Sequence, residues 1–175
     1  MLYLLLIGLL NHFVPAPVES QFIDWSATRP LTWNDFKGRP PAGSSDAALT
    51  SSHIDVDFHF EEKGFSYKIS CRFNKQESWA RQKNDYILRH EQAHFDIAEL
   101  YARQLNKALQ SYRRSGKKDA ATLSNIYSRI MNEQNVRQAT YDQETAHSLN
   151  RERQEEWLTR IGTELEKTKS YADYR

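Results

Sequence analysis

The stretch from Ile87 to Ile97 constrains this chain more than any other, because it places the pattern His-Glu-x-x-His inside a helical repeat of apolar residues. Four residues along an α-helix amount to about 400° of rotation, so His90 and His94 project from one face about 40° apart. Two imidazoles at that spacing can reach one metal ion, and Glu91 lies at the rim of the same face. The pattern therefore predicts a metal-binding helix with a carboxylate beside the metal.

Apolar side chains recur at helical spacing around this pattern and put the two histidines in the middle of the inward face. Two neutral histidines and a glutamate that are buried together need a partner for their polar atoms. The alternative to a metal site is an ordinary core helix with two hydrogen-bonded histidines, and the helical context of the motif favours the metal. The apolar stripe comprises Tyr86, Ile87, Ile97, Ala98, Tyr101, Leu105, Ala108, Leu109 and Tyr112.

Composition limits both the size of the fold and the kind of metal ligand. The 175 residues, 39% of them hydrophobic, predict one domain of ordinary size with a real core. A formal net charge of +1 gives no electrostatic reason to expect nucleic acid or an anionic membrane as a partner. The single cysteine, Cys71, excludes an internal disulfide and a thiolate zinc site. Histidines and carboxylates must therefore hold any metal.

The apolar run Leu2–Leu10 is too short to span a bilayer and has the length of a signal-peptide core. Val18 and Ser20 allow cleavage before Gln21, so we predict a signal peptide at residues 1–20 and a mature domain at 21–175. The mature chain is then periplasmic or secreted, without stable membrane insertion. The segment before the run has no lysine or arginine, which leaves an uncleaved anchor or a misassigned start as alternatives.

Alternating apolar residues in Ala48–Phe60 and Phe65–Cys71, separated by a turn at residues 62–64, predict an antiparallel hairpin with its apolar face on the helices. In zinc peptidases of the zincin class an edge strand beside the metal helix pairs with substrate, and this hairpin is the candidate for that role. We interpret the opposite row of side chains as a solvated outer face rather than a second metal site. That row comprises His53, Asp55, Asp57 and His59.

Three helices are predicted after the hairpin, which gives an α+β fold with the metal helix central and the metal between the first and last helices. The first helix covers Trp79–Tyr112 and ends at Gly116, the second is capped by Asp119, and the third ends near Lys167. We predict that a polar stripe on the first helix, opposite the metal face, is solvated and contains an Asp/Glu–Arg pair. The stripe comprises Gln92, Asp96, Glu99 and Arg103.

Two histidines do not complete a catalytic zinc site, which needs three protein ligands and an open position. The buried stripe of the last helix, extended backwards from Leu165, leads to His147 and Glu144. We therefore rank His147 first as the third ligand, Glu144 second, and Asp142 or the hairpin histidines last. If His147 binds, Glu144 becomes a partner for a ligand ring N–H. Tyr141 is either a packing residue or a donor to the oxyanion of the reaction.

Two segments, Arg89–Arg103 (R-H-E-Q-A-H-F-D-I-A-E-L-Y-A-R) and Tyr141–Ser148 (Y-D-Q-E-T-A-H-S), resemble a family of predicted bacterial secreted zinc-dependent proteases. The resemblance extends to L-T-W-N-D-F-K-G near the start and Q-E-E-W near the end, so it spans most of the mature chain. It supports a zincin-like domain with Zn²⁺ as cofactor and a peptide or protein as substrate.

The predicted function is therefore an exported zinc metallopeptidase in which Glu91 takes a proton from the attacking water. One alternative is a zinc amidase that cleaves a cell-wall fragment or a small metabolite, because the chemistry would be the same. Another is a non-catalytic exported domain with a structural metal. The carboxylate of Glu91 argues against that alternative, because a site that only binds metal does not need it.

Overall fold

A computed structural model describes residues 20–174, and within them small antiparallel sheets pack on three helices. The α+β prediction is confirmed. The strands are β1 (Phe22–Asp24), β2 (Ala48–Leu49), β3 (Ser52–Glu61), β4 (Gly64–Asn74) and β5 (Trp79–Ala80). The helices are α1 (Asp85–Arg114), α2 (Ala120–Thr145) and α3 (Arg151–Lys167), with 3-10 turns at Trp33–Asp35 and Lys169–Tyr171.

The predicted signal peptide lies almost wholly outside the described residues, so export stays a prediction. Among the helices that the structure describes, none combines the length and the apolar character needed to cross a membrane.

The predicted hairpin is confirmed as β3 and β4, which pair with Val56 opposite Ile69 and Ile54 opposite Cys71. Gly64, at φ +125°, adopts the positive φ that the turn requires. In this sheet β4 lies between β1 and β3, which leaves β3 at the edge. The predicted polar row on β3 is exposed, and Asp55 in that row pairs with Arg72 across the strands at 2.7 Å.

Helix α1 starts later than predicted, because the chain at Trp79 and Ala80 pairs with β2 as a short strand. The helix begins after Asn84, whose side chain accepts a hydrogen bond from the backbone N–H of Ile87 at 2.8 Å. At the other end Gly116 takes a positive φ of 73°, as its place after the helix predicts. Asn84 is a favoured N-cap residue, so local chemistry explains the observed start.

The prediction of a solvated polar stripe on α1 is wrong, because the N-terminal segment packs over that face. Trp25 Nε1 donates to Asp96 Oδ1 at 2.7 Å, and the backbone N–H of Leu31 donates to Gln92 Oε1 at 2.7 Å. Burial raises the pKa of Asp96 above its usual value, although hydrogen bonds from Trp25 and Gln92 oppose the rise.

The C-terminal end of the chain covers the rest of the stripe. Glu99 is fully buried, and it accepts hydrogen bonds from Arg103 Nε at 2.8 Å and from the Tyr174 hydroxyl. Arg103 also donates to the backbone carbonyl of Leu165 at 2.6 Å. Polar contacts therefore cover the back face of α1, which is the face opposite His90 and His94. They hold the helix in a fixed position relative to α3.

The junction between α2 and α3 also differs from the prediction, because the last helix does not extend back to His147. Helix α2 ends at Thr145, and α3 starts after Asn150, whose side chain accepts from the backbone N–H of Arg153 at 3.2 Å. Three consecutive residues between the helices adopt left-handed backbone angles although none is glycine. They are Ala146 (φ 48°), His147 (φ 51°) and Ser148 (φ 70°).

We predict that Ala146→Gly stabilises the metal-free protein by about 1 kcal/mol, because glycine adopts the left-handed region without the steric cost that alanine bears there. Urea unfolding followed by circular dichroism measures the change. Ala139→Gly, the same substitution on an exposed position inside α2, is the control and should destabilise by about 1 kcal/mol. Destabilisation by Ala146→Gly would show that the turn is not strained in solution.

Candidate metal site

The candidate site lies where the metal face of α1 packs against the C-terminal part of α2. Helix α1 contributes His90 and His94, and α2 contributes Asp142. One ligand atom from each of the three residues lies within 4.8 Å of the other two, which makes them a group that can hold a metal ion. The predicted pairing of the two histidines on one helical face is therefore present in the structure.

The distances within this group match those of a tetrahedral metal site. Nε2 of His90 lies 3.2 Å from Nε2 of His94, and Asp142 Oδ1 lies 3.2 Å from the first and 3.1 Å from the second. Ligands about 2.0 Å from a tetrahedral zinc ion lie about 3.3 Å from one another. The three atoms are thus spaced so that a metal ion could bind them as one face of a coordination tetrahedron.

Gln138 fixes the ring of His94 through two hydrogen bonds. Its Nε2 donates to the backbone carbonyl of His94 at 2.9 Å, so its Oε1 must accept from His94 Nδ1, which lies 2.7 Å away. The proton of the neutral ring is then on Nδ1, and the lone pair of Nε2 faces Asp142 and His90. This is the orientation that a metal-binding histidine needs.

Tyr141 packs against the two histidines of the candidate group and does not line the cleft beside them. Its ring stacks on His90 at 4.6 Å between centroids, and its hydroxyl donates to the backbone carbonyl of His90 at 3.4 Å. The side chain is fully buried, and burial raises the pKa of the hydroxyl above its ordinary range. This position favours packing, the first of the two predicted roles, because donation to an oxyanion would require the buried side chain to turn.

Glu91 is almost completely buried and is one of the residues that line the same cleft as the histidines. Thr50, from the segment after β2, donates through Oγ1 to Glu91 Oε2 at 2.8 Å. The same hydroxyl lies 3.2 Å from the backbone carbonyl of Glu91. Glu91 is therefore held beside the metal-binding group without belonging to it.

The cleft has a volume of about 450 Å³ and two walls. One wall is the extended segment of residues 46–52, which contains β2, and α1 supplies the floor through His90, Glu91 and His94. The other wall is polar and comes from α2 and the turn after it. It comprises Gln134, Asn135, Gln138, Asp142, His147 and Ser148.

The charges at the site favour a cation between the three ligands. Burial alone would raise the pKa of Asp142, but hydrogen bonds with His90 and His94 lower it well below its usual range. Burial alone would lower the pKa of His94, but the hydrogen bond to Asp142 and the negative charge of Glu91 raise it. The Asp142 carboxylate thus stays ionised and attracts positive charge, which a proton or a metal ion can supply.

Of the other predicted ligands, His147 lies beside this group, whereas Glu144 and His53 contact other residues. His147 lines the cleft with its Nδ1 3.7 Å from Asp142 Oδ1, and its side chain is 70% exposed. Glu144 Oε2 accepts from Trp157 Nε1 at 2.8 Å, and Glu144 does not line the cleft. His53, on the hairpin, contacts Glu77 at 3.1 Å. The role of His147 as a ligand stays a prediction, and the structure adds Asp142 to the candidate group.

The sequence ranking placed Asp142 last because it assigned this region to the last helix. On α2, residues 134, 138 and 142 follow one another at steps of four and all face the cleft. Extending the helix that Asp119 caps as far as Thr145 would have placed Asp142 on the same face as Gln138. The sequence does not mark the turn that separates α2 from α3, because residues 146–148 contain neither glycine nor proline.

Fold and site together define an α+β protein with a His-x-x-x-His pair and an aspartate that can hold a metal ion. Residues 20–148 match the family model described as "Bacterial protein of unknown function (DUF922)", so the chain belongs to that family. The match contains α1 and the whole of α2, and therefore all three members of the candidate group. Searches of curated proteins and of solved structures found no significant match.

We predict that Asp142→Asn weakens zinc binding by more than the roughly 100-fold that loss of an outer partner of a ligand costs. The matched change Glu144→Gln should weaken binding by less than about tenfold, because Glu144 contacts Trp157 and not a ligand. Calorimetric zinc titration measures both affinities, with circular dichroism to confirm folding. The reverse order of the two effects would exclude Asp142 as the ligand from α2.

Proposed function

We propose that this protein is a zinc-dependent hydrolase that cleaves peptide bonds, with Glu91 as the general base. The observation that carries the proposal is the convergence of His90, His94 and Asp142 beside a buried glutamate in an open cleft. Three ligands leave one position of a tetrahedral site free, as catalytic zinc sites require and structural zinc sites do not. This arrangement favours catalysis over a purely structural metal.

The donor set fits zinc in both chemistry and spacing. Two imidazole nitrogens and one carboxylate oxygen are ordinary zinc ligands, and their separations of 3.1 to 3.2 Å suit tetrahedral coordination. When bound, zinc would polarise the scissile carbonyl and lower the pKa of a coordinated water to about 7. The buried position of Glu91 next to this group supports its assignment as the proton acceptor.

The protein groups then have separate tasks. His90 and His94 are oriented by Tyr141 and Gln138, so their ring nitrogens converge without further rearrangement. Thr50 holds Oε2 of Glu91, and we assign Oε1 to the transfer of the proton from the attacking water to the leaving amine. Because the Thr50 hydroxyl already fixes the Glu91 carboxylate, the reaction does not have to include a step that orients this side chain.

The wall formed by residues 46–52 suits an extended peptide. The Ala47 carbonyl accepts a hydrogen bond from the backbone N–H of Arg81 at 2.8 Å, so Ala47 is a hydrogen-bonded position of the β2–β5 ladder. Because such positions alternate, the backbone groups of Ala48 and Thr50 point away from β5. An added strand can pair with that edge. The predicted hairpin strand, Ala48–Phe60, contains most of this wall, whereas the observed β3 lines the cleft only at Ser52.

We predict that Glu91→Gln keeps the fold and zinc binding but lowers turnover by at least about 100-fold, because an amide cannot accept the water proton. A peptide library incubated with zinc-loaded protein, with new termini quantified by mass spectrometry, measures turnover. Glu152→Gln, the same change at an exposed position on α3, should leave turnover unchanged.

Two outcomes would contradict the proposal. Undiminished cleavage by Glu91→Gln would exclude Glu91 as the base. Cleavage of amides in cell-wall fragments or small molecules, without cleavage in the peptide library, would show that the protein is the alternative zinc amidase and not a peptidase.

A further inference from the structure

His147 occupies a position that the proposed catalytic group does not explain. It lies on the turn between α2 and α3, at the rim of the cleft, with its Nδ1 3.7 Å from Asp142 Oδ1. Its side chain is 70% exposed, whereas the side chains of His90, His94 and Asp142 are 5%, 14% and 31% exposed. Packing therefore does not require a histidine at this position.

The backbone holds His147 beside Asp142 in spite of a steric cost. Three consecutive non-glycine residues adopt left-handed angles there, and each costs roughly 1–2 kcal/mol relative to an ordinary conformation. Hydrogen bonds fix the turn: the N–H of His147 donates to the Asp142 carbonyl at 2.9 Å, and that of Asn150 donates to the Thr145 carbonyl at 2.8 Å. Strain of this kind collects at ligand-binding and switching positions.

The distance from His147 to Asp142 is close to that of a fourth ligand. Neighbouring ligand atoms of a tetrahedral zinc site lie about 3.3 Å apart, and Nδ1 of His147 is 3.7 Å from Asp142 Oδ1. Because His147 is not among the three residues whose ligand atoms all lie within 4.8 Å of one another, its exposed side chain must turn toward the group to bind. The nitrogen nearer to the site is Nδ1, whereas His90 and His94 present Nε2.

We propose, building on the metal site of the proposed function, that His147 is a fourth and displaceable ligand of the metal, bound through Nδ1. In the resting protein it occupies the position that substrate and water need, and it leaves when a competing oxygen ligand enters. The exposure of the four side chains decides which ligand leaves. His147 moves into solvent without uncovering buried surface, whereas the other three are held inside the α1–α2 interface.

This arrangement lowers the apparent affinity of the site for any ligand that enters the fourth position. Where a binding-competent state is only partly populated, the apparent dissociation constant rises in inverse proportion to that population. Removal of the His147 ring should therefore strengthen binding of a small oxygen ligand. It should also weaken zinc binding, but leave the three-ligand site in place.

The experiment is nitrogen NMR on the full chain with ¹⁵N-labelled histidine, loaded with zinc, before and after addition of saturating acetohydroxamate. We expect three zinc-shifted ring nitrogens before addition, two of Nε2 type and one of Nδ1 type, and only the two Nε2 signals afterwards. His147→Ala should lack the Nδ1 signal, and calorimetry should show that it binds acetohydroxamate tighter by on the order of tenfold. His59→Ala, which removes an exposed histidine outside the cleft, is the matched control and should behave like the unmodified chain.

Each other outcome overturns a defined part of the account. Two zinc-shifted nitrogens before addition would show that His147 is not a ligand. An Nδ1 signal that persists after saturation would show that it is a permanent ligand. The absence of any zinc-shifted nitrogen would overturn the metal site of the proposed function, so the two failures are distinguishable.

Discussion

The candidate site depends on the contact between the two histidines of α1 and the carboxylate of α2. Nε2 of His90, Nε2 of His94 and Oδ1 of Asp142 lie 3.1 to 3.2 Å apart in a largely buried position. Lone pairs at such distances repel one another unless a proton or a metal ion lies between them. A proton on one ring nitrogen satisfies only part of the group, whereas a divalent cation contacts all three atoms at once. The group can therefore hold a cation.

The back face of α1 supports this site by fixing the helix that carries it. Trp25 from the N-terminal segment contacts Asp96, and Tyr174 from the C-terminal end contacts Glu99. Both contacts lie within three turns of His90 and His94, on the opposite side of the helix. A helix held in this way from both ends of the chain keeps its side chains in place, which a preorganised metal site needs.

Periodicity and local capping chemistry predicted the elements of the fold, but not its long-range contacts. The β3–β4 hairpin, the Asp119 cap and the inward pair on α1 follow from neighbouring residues. The burial of Asp96 depends on Trp25, which is 71 residues away, so no local pattern indicates it. Asp142 was ranked last for another reason, because the left-handed turn at residues 146–148 has no glycine to mark it.

The zinc content of the full chain, purified without chelators, can be measured by plasma mass spectrometry. We expect about one zinc ion per chain, lost on dialysis against a strong chelator and regained on titration. Protein that contains no zinc and takes up none on titration, while circular dichroism shows it folded, would contradict the account.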